Sequence, residues 1–369
     1  MRAFEFLVEN DTAPAAKKVG REFNHLEDLV FAEHQGARRA VEILKSISQD
    51  AKEVSHKWDG NPTVYWGRES NGQFILVGKN NWGRPEGKSS SPEELKQFIL
   101  SRGKGEDWRP AFADSMAALW PIFEKGTSPD FRGYIYGDIL FQPSKPYQGK
   151  DGKLIFTPNQ TTYEVDHASA VGRKLIKAKV AIAAHKHLAA FGDKDGEDLT
   201  DTKSLNLNPE LVVFGQTYVN HQPAVNADNL ATIEKLAATQ GPKIDNFLAP
   251  VAGMGYLRDT IYTFVNTQSK AKALDKINSG EYFNWLQSTP PKFKKIQAHS
   301  QSHPGALDAV FHLVTEIMKA KDEVIAELDS AGGDIQAHTG GKPGGEGYMH
   351  TKHGVKLVPR DRWTPFRAD

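Results

Sequence analysis

The feature that most constrains this chain is a lysine followed at once by a tight turn and a strand. Lys57 precedes an Asp59-Gly60 corner, and the alternating residues from Thr63 to Arg68 predict a half-buried β-strand. This arrangement places the amine of one lysine at the end of a sheet, just before a strand begins. A lysine amine is protonated at neutral pH and becomes a nucleophile only when desolvation, a neighbouring cation or a metal activates it. We therefore expect its partners elsewhere in the chain.

Composition narrows the possible function classes. The chain has 369 residues, of which 39% are hydrophobic and 25% charged, values that allow two or three globular domains. Lys plus Arg and Asp plus Glu both number 46, so any site for a polyanion must be a local patch. There is no cysteine. Its absence excludes disulfides, cysteine zinc sites and thiol catalysis.

The hydrophobic pattern contains no targeting or membrane signal. Residues 1–9 are too short and too acidic for a signal peptide, and no apolar run reaches the ~18 residues that a membrane span needs. The cytoplasm is therefore the expected compartment.

Periodicity predicts an α+β fold built on antiparallel strands. Two short helices are predicted between Asn24 and Ile47, where His25, Glu27, Asp28 and Glu33 are expected on a solvated helix face rather than as ligands. Strands are predicted at 54–77, as a meander, and at 133–141, 153–157, 161–165 and 209–215, and helices at 92–101, 110–124 and across 226–330. The segment 173–188 fits either a helix or a buried strand.

Lys57-Trp58-Asp59-Gly60 resembles motif I of the covalent nucleotidyltransferases, the superfamily of ATP-dependent DNA ligases, RNA ligases and mRNA capping enzymes. In that family the lysine attacks the α-phosphate of a nucleotide and carries the nucleotide as a phosphoramide. The resemblance implies that Lys57 is the catalytic nucleophile and that Asp59 orients the turn and the amine. It also implies nucleotide-binding roles for His56 and Gly60. Arg68 matches the family's post-motif arginine, for ribose or acceptor phosphate, with a surface charge at a strand edge as the alternative.

The strand 133–141 resembles motif III of the same family, whose acid holds the ribose of the nucleotide. Here the acid is Asp138, one methylene shorter than the usual glutamate. The family stacks the base on an aromatic residue, for which Phe156 or Tyr163 is the candidate, and a plain core role is the alternative for both. His185 and His187 are expected to be core or surface imidazoles rather than ligands.

Glu346-Gly347 and the strand lysine Lys356 resemble motifs IV and V, with Lys352 as the reserve candidate for the lysine. The resemblance implies that Glu346 supplies an oxygen to Mg²⁺, which prefers carboxylates and water. Lys356 would lie against the α-phosphate and would favour the neutral amine of Lys57 through like charge.

The resemblance divides the chain into an N-terminal helical segment (1–50), the first part of an antiparallel-sheet nucleotidyltransferase (adenylation) core (51–221), a helical insertion (222–335) and a return to the core (336–369). No OB-fold is expected after motif V, which favours an RNA ligase over a DNA ligase or capping enzyme. The expected cofactors are ATP and Mg²⁺, and the expected partner is nucleic acid, RNA in preference to DNA. Sealing of DNA nicks, or nucleotide or nucleic-acid binding without catalysis, are the alternatives.

The basic cluster Lys292, Lys294 and Lys295 is a candidate contact for a phosphate backbone, with a solvated loop favoured.

The chain as a whole is also similar to uncharacterised proteins of large tailed phages. The shared sequence segments are residues 25–29 (HLEDL), 57–60 (KWDG) and 156–159 (FTPN). This second resemblance implies no activity.

Overall fold

The computed structural model describes residues 24–32, 34–103, 108–199, 201–219, 221–331 and 334–360. The chain forms two compact units. Unit 1 comprises Met1–Ser55, Tyr218–Ala331 and Gly347–Asp369, and unit 2 comprises His56–Thr217 and Gly332–Glu346. The predicted α+β class with mainly antiparallel sheets is confirmed. Residues 1–9, on which the signal-peptide expectation was based, lie outside the described residues.

Helices and strands are numbered along the chain. The helices are α1 (Leu29–Ala32), α2 (Gly36–Gln49), α3 (Pro92–Ser101), α4 (Arg109–Gly126), α5 (Ala170–Leu175), α6 (Ala227–Leu248), α7 (Leu257–Lys270), α8 (Ser279–Leu286), α9 (Pro290–Ser302) and α10 (Ala306–Ser330). The strands are β1 (Val54–His56), β2 (Thr63–Arg68), β3 (Phe74–Gly78), β4 (Gly133–Phe141), β5 (Gln148–Lys150), β6 (Lys153–Phe156), β7 (Thr161–Asp166), β8 (Val180–Leu188), β9 (Glu197–Asp198), β10 (Leu211–Phe214), β11 (Ile335–Thr339), β12 (Lys342–Pro343), β13 (Tyr348–His350) and β14 (Val355–Leu357).

Unit 1 is a helical unit with one small sheet. Its core is formed by the apolar faces of α1, α2 and α6 to α10, and a sheet in the order β1-β13-β14 lies beside the helices. Tyr348 and Leu357, on β13 and β14, are buried in that helical core. This packing explains why residues 347–369 group with the helices, whereas the sequence predicted that 336–369 return to the sheet domain.

A charged cluster lies inside unit 1. Glu27, Asp28 and Lys321 are fully buried, and Arg360 is nearly so. Lys321 Nζ donates to Glu27 Oε1 at 2.9 Å, and Arg360 donates to both Glu27 and Asp28. The expectation that Glu27 and Asp28 lie on a solvated helix face was therefore wrong. Glu33, grouped with them, lies outside the described residues.

Unit 2 is built on a sheet in the order β10-β8-β4-β2-β3, with β9 paired to β8. β10 and β8 are parallel, and the other pairs are antiparallel. Helices α3 and α4 cover one face of this sheet over an apolar core that includes Trp66 and Phe123. Ser91 caps α3 by accepting from the amide of Glu94, and Pro92 occupies its first turn.

A second sheet of unit 2, in the order β12-β11-β7-β6-β5, packs on the opposite face of the first. The shared core joins Leu140 and Ala183 of the first sheet to Phe156 and Tyr163 of the second. Towards β3, Val77 and Tyr134 on the same face of the first sheet form a separate apolar cluster.

The ambiguous segment 173–188 contains both of the predicted structures. It includes the end of α5 and all of β8, whose first five residues are buried. The first five residues of β8 alternate between the apolar cores on the two faces of the sheet, so both faces are covered and a continuous apolar run replaces the usual alternation. Within the described residues, no helix combines the length and apolarity needed to cross a bilayer.

Candidate functional site

The centre of the candidate site is an ion pair between Lys57 and Glu346. Lys57 lies in the loop between β1 and β2, and Glu346 follows β12. Lys57 Nζ contacts Glu346 Oε1, and the two side chains are only 22% and 13% exposed. The structure thus brings together the predicted nucleophile and the predicted acid of motif IV. Because the pair is largely shielded from water, each charge depends strongly on the other.

The loop that carries Lys57 is held along β4. The amide of Asn61 donates to the carbonyl of Ile139 at 2.8 Å, and the amide of Ile139 donates to the carbonyl of Pro62 at 3.0 Å. Gly60 lies so close to β4 that a Cβ there would be 2.7 Å from the Cβ of Asp138. Glycine at this position therefore allows the loop to approach Asp138.

Asp59 anchors the same loop to the second sheet. Its carboxylate accepts from Asn159 Nδ2 at 3.0 Å and from Thr161 Oγ1 at 3.4 Å, and its amide donates to the hydroxyl of Tyr163 at 2.7 Å. The residue is 7% exposed. These contacts fix the turn that follows Lys57, in keeping with the orienting role predicted for Asp59.

Asp138 lies beside the loop with both carboxylate oxygens engaged. Oδ1 accepts from Thr63 Oγ1 at 2.6 Å, and Oδ2 accepts from His185 Nε2 at 2.9 Å. Burial acts to raise the pKa of Asp138, but the bonds from His185 and Thr63 and the charge of Lys57 together hold that pKa below its ordinary value. Asp138 is therefore an ionised carboxylate bound by protein donors.

His185 is the residue of this cluster that sequence reasoning missed. In the pairing of β4 with β8, Tyr136 lies opposite Lys186, whereas the next residue, Gly137, lies opposite Ala184. His185 is thus the extra residue of a β-bulge, which turns its side chain towards Asp138. No local sequence signal marks the bulge, because it depends on the register between two strands.

The carboxylates of Asp59 and Asp138 lie near the Lys57–Glu346 pair. Burial raises the pKa of Glu346, the charges of Asp59 and Asp138 raise it further, and Lys57 opposes the shift. Within the described ranges, no group of three or more His, Asp or Glu residues is arranged to hold a metal ion. The oxygens of Asp59 and Asp138 are already bound by protein donors. The role of Glu346 as a magnesium ligand stays a prediction, and its observed contact is with Lys57.

Comparison with known proteins gives one family. The sequence profile of a family of unknown function, DUF6267, matches residues 21–83 and 123–365, which is most of the chain. The chain belongs to the DUF6267 family. Lys57, Asp59, Asp138, His185 and Glu346 all lie in the matched segments of this DUF6267 protein. No curated protein and no solved structure matches the chain significantly.

A row of half-buried aromatic rings runs from the cluster across the same sheet face in this DUF6267 protein. Tyr65 stacks on Trp82 with ring centroids 4.3 Å apart and on Tyr136 with centroids 5.1 Å apart. Burial and the nearby charge of Asp138 raise the pKa values of Tyr65 and Tyr136. The rings therefore border the charged cluster.

Phe156, the predicted base-stacking residue, does not offer an open ring. Its side chain is 3% exposed and packs against Tyr163 and Phe141 in the core between the two sheets. The alternative that both Phe156 and Tyr163 are core residues matches the structure, although Tyr163 also contacts Asp59 through its hydroxyl.

Arg68 is not part of the cluster. Arg68 is two residues after Trp66 and therefore lies on the same face of β2, the face that α3 and α4 cover. Thr63 and Tyr65 lie on the opposite face. Its guanidinium donates to the backbone carbonyls of Ser128, Gly72, Glu124 and Thr127. Since these groups include the end of α4, the contacts of Arg68 stabilise a helix terminus. The ribose or phosphate role of Arg68 stays a prediction.

The two candidate motif V lysines belong to unit 1. Lys356 lies on β14, where its amide donates to the carbonyl of Asn24 at 2.7 Å, and Lys352 Nζ lies 3.1 Å from Glu53 Oε1. His56, at the start of unit 2, donates its amide to the carbonyl of Thr217 at 2.8 Å. Unit 2 therefore brings together Lys57, Asp59, Asp138 and Glu346, but neither predicted lysine.

Proposed function

We propose that this DUF6267 protein is an ATP-dependent nucleotidyltransferase that carries AMP on Lys57 and joins nucleic-acid ends, 5′-phosphate to 3′-hydroxyl, in the cytoplasm. RNA ends are the preferred acceptor, and nicked DNA is the alternative. The observation that carries the proposal is the contact of the Lys57 ammonium with Glu346 in a largely buried cluster. The proposed fold of unit 2 is a nucleotidyltransferase core.

The first step is attack by the Lys57 amine on the α-phosphorus of MgATP. A P–N bond forms, and the bond to the β-phosphate oxygen breaks with its electron pair leaving on pyrophosphate. The lysine ammonium must lose one proton before attack and a second as the phosphoramide forms. Glu346 accepts the first proton in this proposal, which its contact with the ammonium and the raised pKa of its carboxyl support. The second proton passes to solvent.

The negative charge of the cluster favours ATP that is already bound to magnesium as the substrate. The carboxylates of Asp59, Asp138 and Glu346 lie close together around the Lys57–Glu346 pair, so an uncomplexed triphosphate would be repelled. Magnesium bound to the phosphates reduces this repulsion, which is why MgATP is the proposed substrate. Chelation of magnesium with EDTA is expected to abolish labelling.

Incubation with α-labelled ATP and Mg²⁺ tests the proposal. The wild-type chain is expected to form an acid-labile, hydroxylamine-sensitive adduct that Lys57→Ala does not form. Lys153→Ala is the matched control, since Lys153 lies in the same unit in a more exposed pair with Glu164. If the wild type labels no better than Lys57→Ala, the enzymatic proposal fails and nucleotide or nucleic-acid binding without catalysis is the remaining proposal.

The acceptor is tested separately. Joining of 5′-phosphorylated single-stranded RNA is compared with sealing of nicked duplex DNA, in both cases with ATP. Faster joining of RNA supports the RNA ligase proposal, and faster sealing of DNA supports the alternative. Labelling without joining of either would indicate transfer of AMP to another kind of acceptor.

A further inference from the structure

Asp138 and His185 form a carboxylate–imidazole pair beside Lys57. Oδ2 of Asp138 accepts from His185 Nε2 at 2.9 Å, while Thr63 holds the other oxygen at 2.6 Å. Because an ionised carboxylate only accepts, Nε2 must carry the proton of the neutral ring. Nδ1 of His185 then has its lone pair available, since the hydrogen bond that the structure shows for the ring is made through Nε2.

The surroundings of the imidazole keep its orientation fixed while leaving it reachable. The His185 side chain is 31% exposed, whereas that of Asp138 is 17% exposed. The Tyr136 ring packs against the imidazole with centroids 5.0 Å apart. Since both oxygens of Asp138 are bound by protein donors, the group that faces a substrate is the imidazole rather than the carboxylate.

We propose that His185 is the general base of the joining step, with Asp138 as its positioning residue. This inference rests on the proposed function. The 3′-hydroxyl of one nucleic-acid end gives its proton to His185 Nδ1, and its oxygen forms a bond to the 5′-phosphorus of an adenylylated end. The phosphoanhydride bond to AMP breaks, and AMP leaves with the electron pair. Asp138 stabilises the imidazolium and fixes the tautomer of the ring.

Chemically 5′-adenylylated RNA, supplied without ATP, isolates this step from the chemistry of Lys57. His185→Gln keeps a donor towards Asp138 but has no base, and His185→Ala leaves space for added imidazole. His187→Gln is the matched control, because His187 lies on the same strand and binds the carbonyl of Arg132 at 3.0 Å. Labelling of Lys57 by α-labelled ATP is measured in parallel for every variant.

Both His185 variants are expected to join adenylylated RNA about 10²–10³-fold more slowly than wild type, a loss much larger than any change in their labelling of Lys57. Imidazole is expected to restore part of the joining by His185→Ala, which a purely structural role would not produce. The inference is overturned if His185→Gln joins like wild type, if labelling and joining fall together, or if the wild type joins neither adenylylated RNA nor adenylylated DNA. Loss of wild-type labelling would instead refute the proposed function.

Discussion

Lys57 forms an ion pair with Glu346, although the two are the second and the last residues of unit 2. The segment 332–346 must therefore return to unit 2 before the lysine acquires its partner. Antiparallel pairing of β11 with β7 provides that return, since five residues of β11 lie in register with β7. The candidate site depends on this pairing as much as on the lysine loop.

Replacement of Glu346 tests its role as proton acceptor. Glu346→Gln keeps the shape of the side chain but cannot accept the proton of Lys57, so AMP labelling is expected to fall by about 10²-fold or more. Glu164→Gln is the control, because Glu164 has a lysine partner in the same unit but lies away from the cluster. Labelling by Glu346→Gln at the wild-type rate, with circular dichroism unchanged, would rule out this role.

Gly60→Ala tests the close approach of the lysine loop to β4. A methyl group there would be 2.7 Å from Asp138 Cβ and 2.9 Å from its backbone, so the loop must shift. Overpacking of this kind costs about 1–3 kcal/mol in the free energy of unfolding, and labelling should fall with it. Gly149→Ala, where nothing lies within 4 Å of the added Cβ, should change neither quantity. Equal urea midpoints for the two variants would contradict the described loop.

The buried charges of unit 1 predict a large difference between two lysines on α10. Lys321→Ala leaves Glu27 short of a partner in a fully buried position and should lower the free energy of unfolding by about 3–5 kcal/mol. Lys319→Ala removes an exposed pair with Glu316 and should cost no more than about 0.5 kcal/mol. Urea denaturation of both variants measures the difference, and similar values would show that Lys321 is not buried as described.

His25 should make the stability of unit 1 depend on pH. Burial, followed by the charge of Arg360, lowers the pKa of His25 from 6.5 to about 3. Between these pH values the unfolded chain binds a proton that the folded chain does not. The contribution of His25 to the free energy of unfolding is therefore full above about pH 6.5 and is lost as the pH falls. Asp28 acts in the opposite direction, because burial raises its pKa to about 6.

The comparison of wild type with His25→Asn at each pH isolates the histidine. The difference in unfolding free energy between the two should change progressively from pH 7 to pH 5 and shift in favour of the variant. Urea denaturation at several pH values measures it. A difference that stays constant over this range would contradict the burial of an unprotonated His25.

Local signals in the sequence predicted most of the elements of unit 2. The Ser91-Pro92 start of α3 and the alternation along β2 depend on neighbours a few residues away, which a sequence displays directly. The approach of the lysine loop to Asp138 was not predicted, because it depends on the pairing of the loop with β4. Glu346, which the order of the motifs marked as a magnesium ligand, contacts Lys57 in the structure.

What the sequence could not supply depends on pairing and packing over long distances. The side chain of His185 points towards Asp138 because of a bulge in the register of β4 and β8. The side chain of Arg68 lies on the face of β2 that the helices cover. The burial of Glu27 requires Lys321 and Arg360, which arrive from distant segments. The pairing of β14, which carries Lys356, with β13 in unit 1 was also not visible in the sequence, and the motif V role of Lys356 stays a prediction.

Mass-spectrometric mapping of the protein after incubation with MgATP tests the central claim most directly. The chain is digested without acid, and the peptide that carries AMP is sequenced by fragmentation. The account predicts one modified residue, Lys57, and no modified peptide from Lys57→Ala. AMP on another lysine of the wild type, or no AMP on any peptide while Lys57 is covered by the digest, would contradict it.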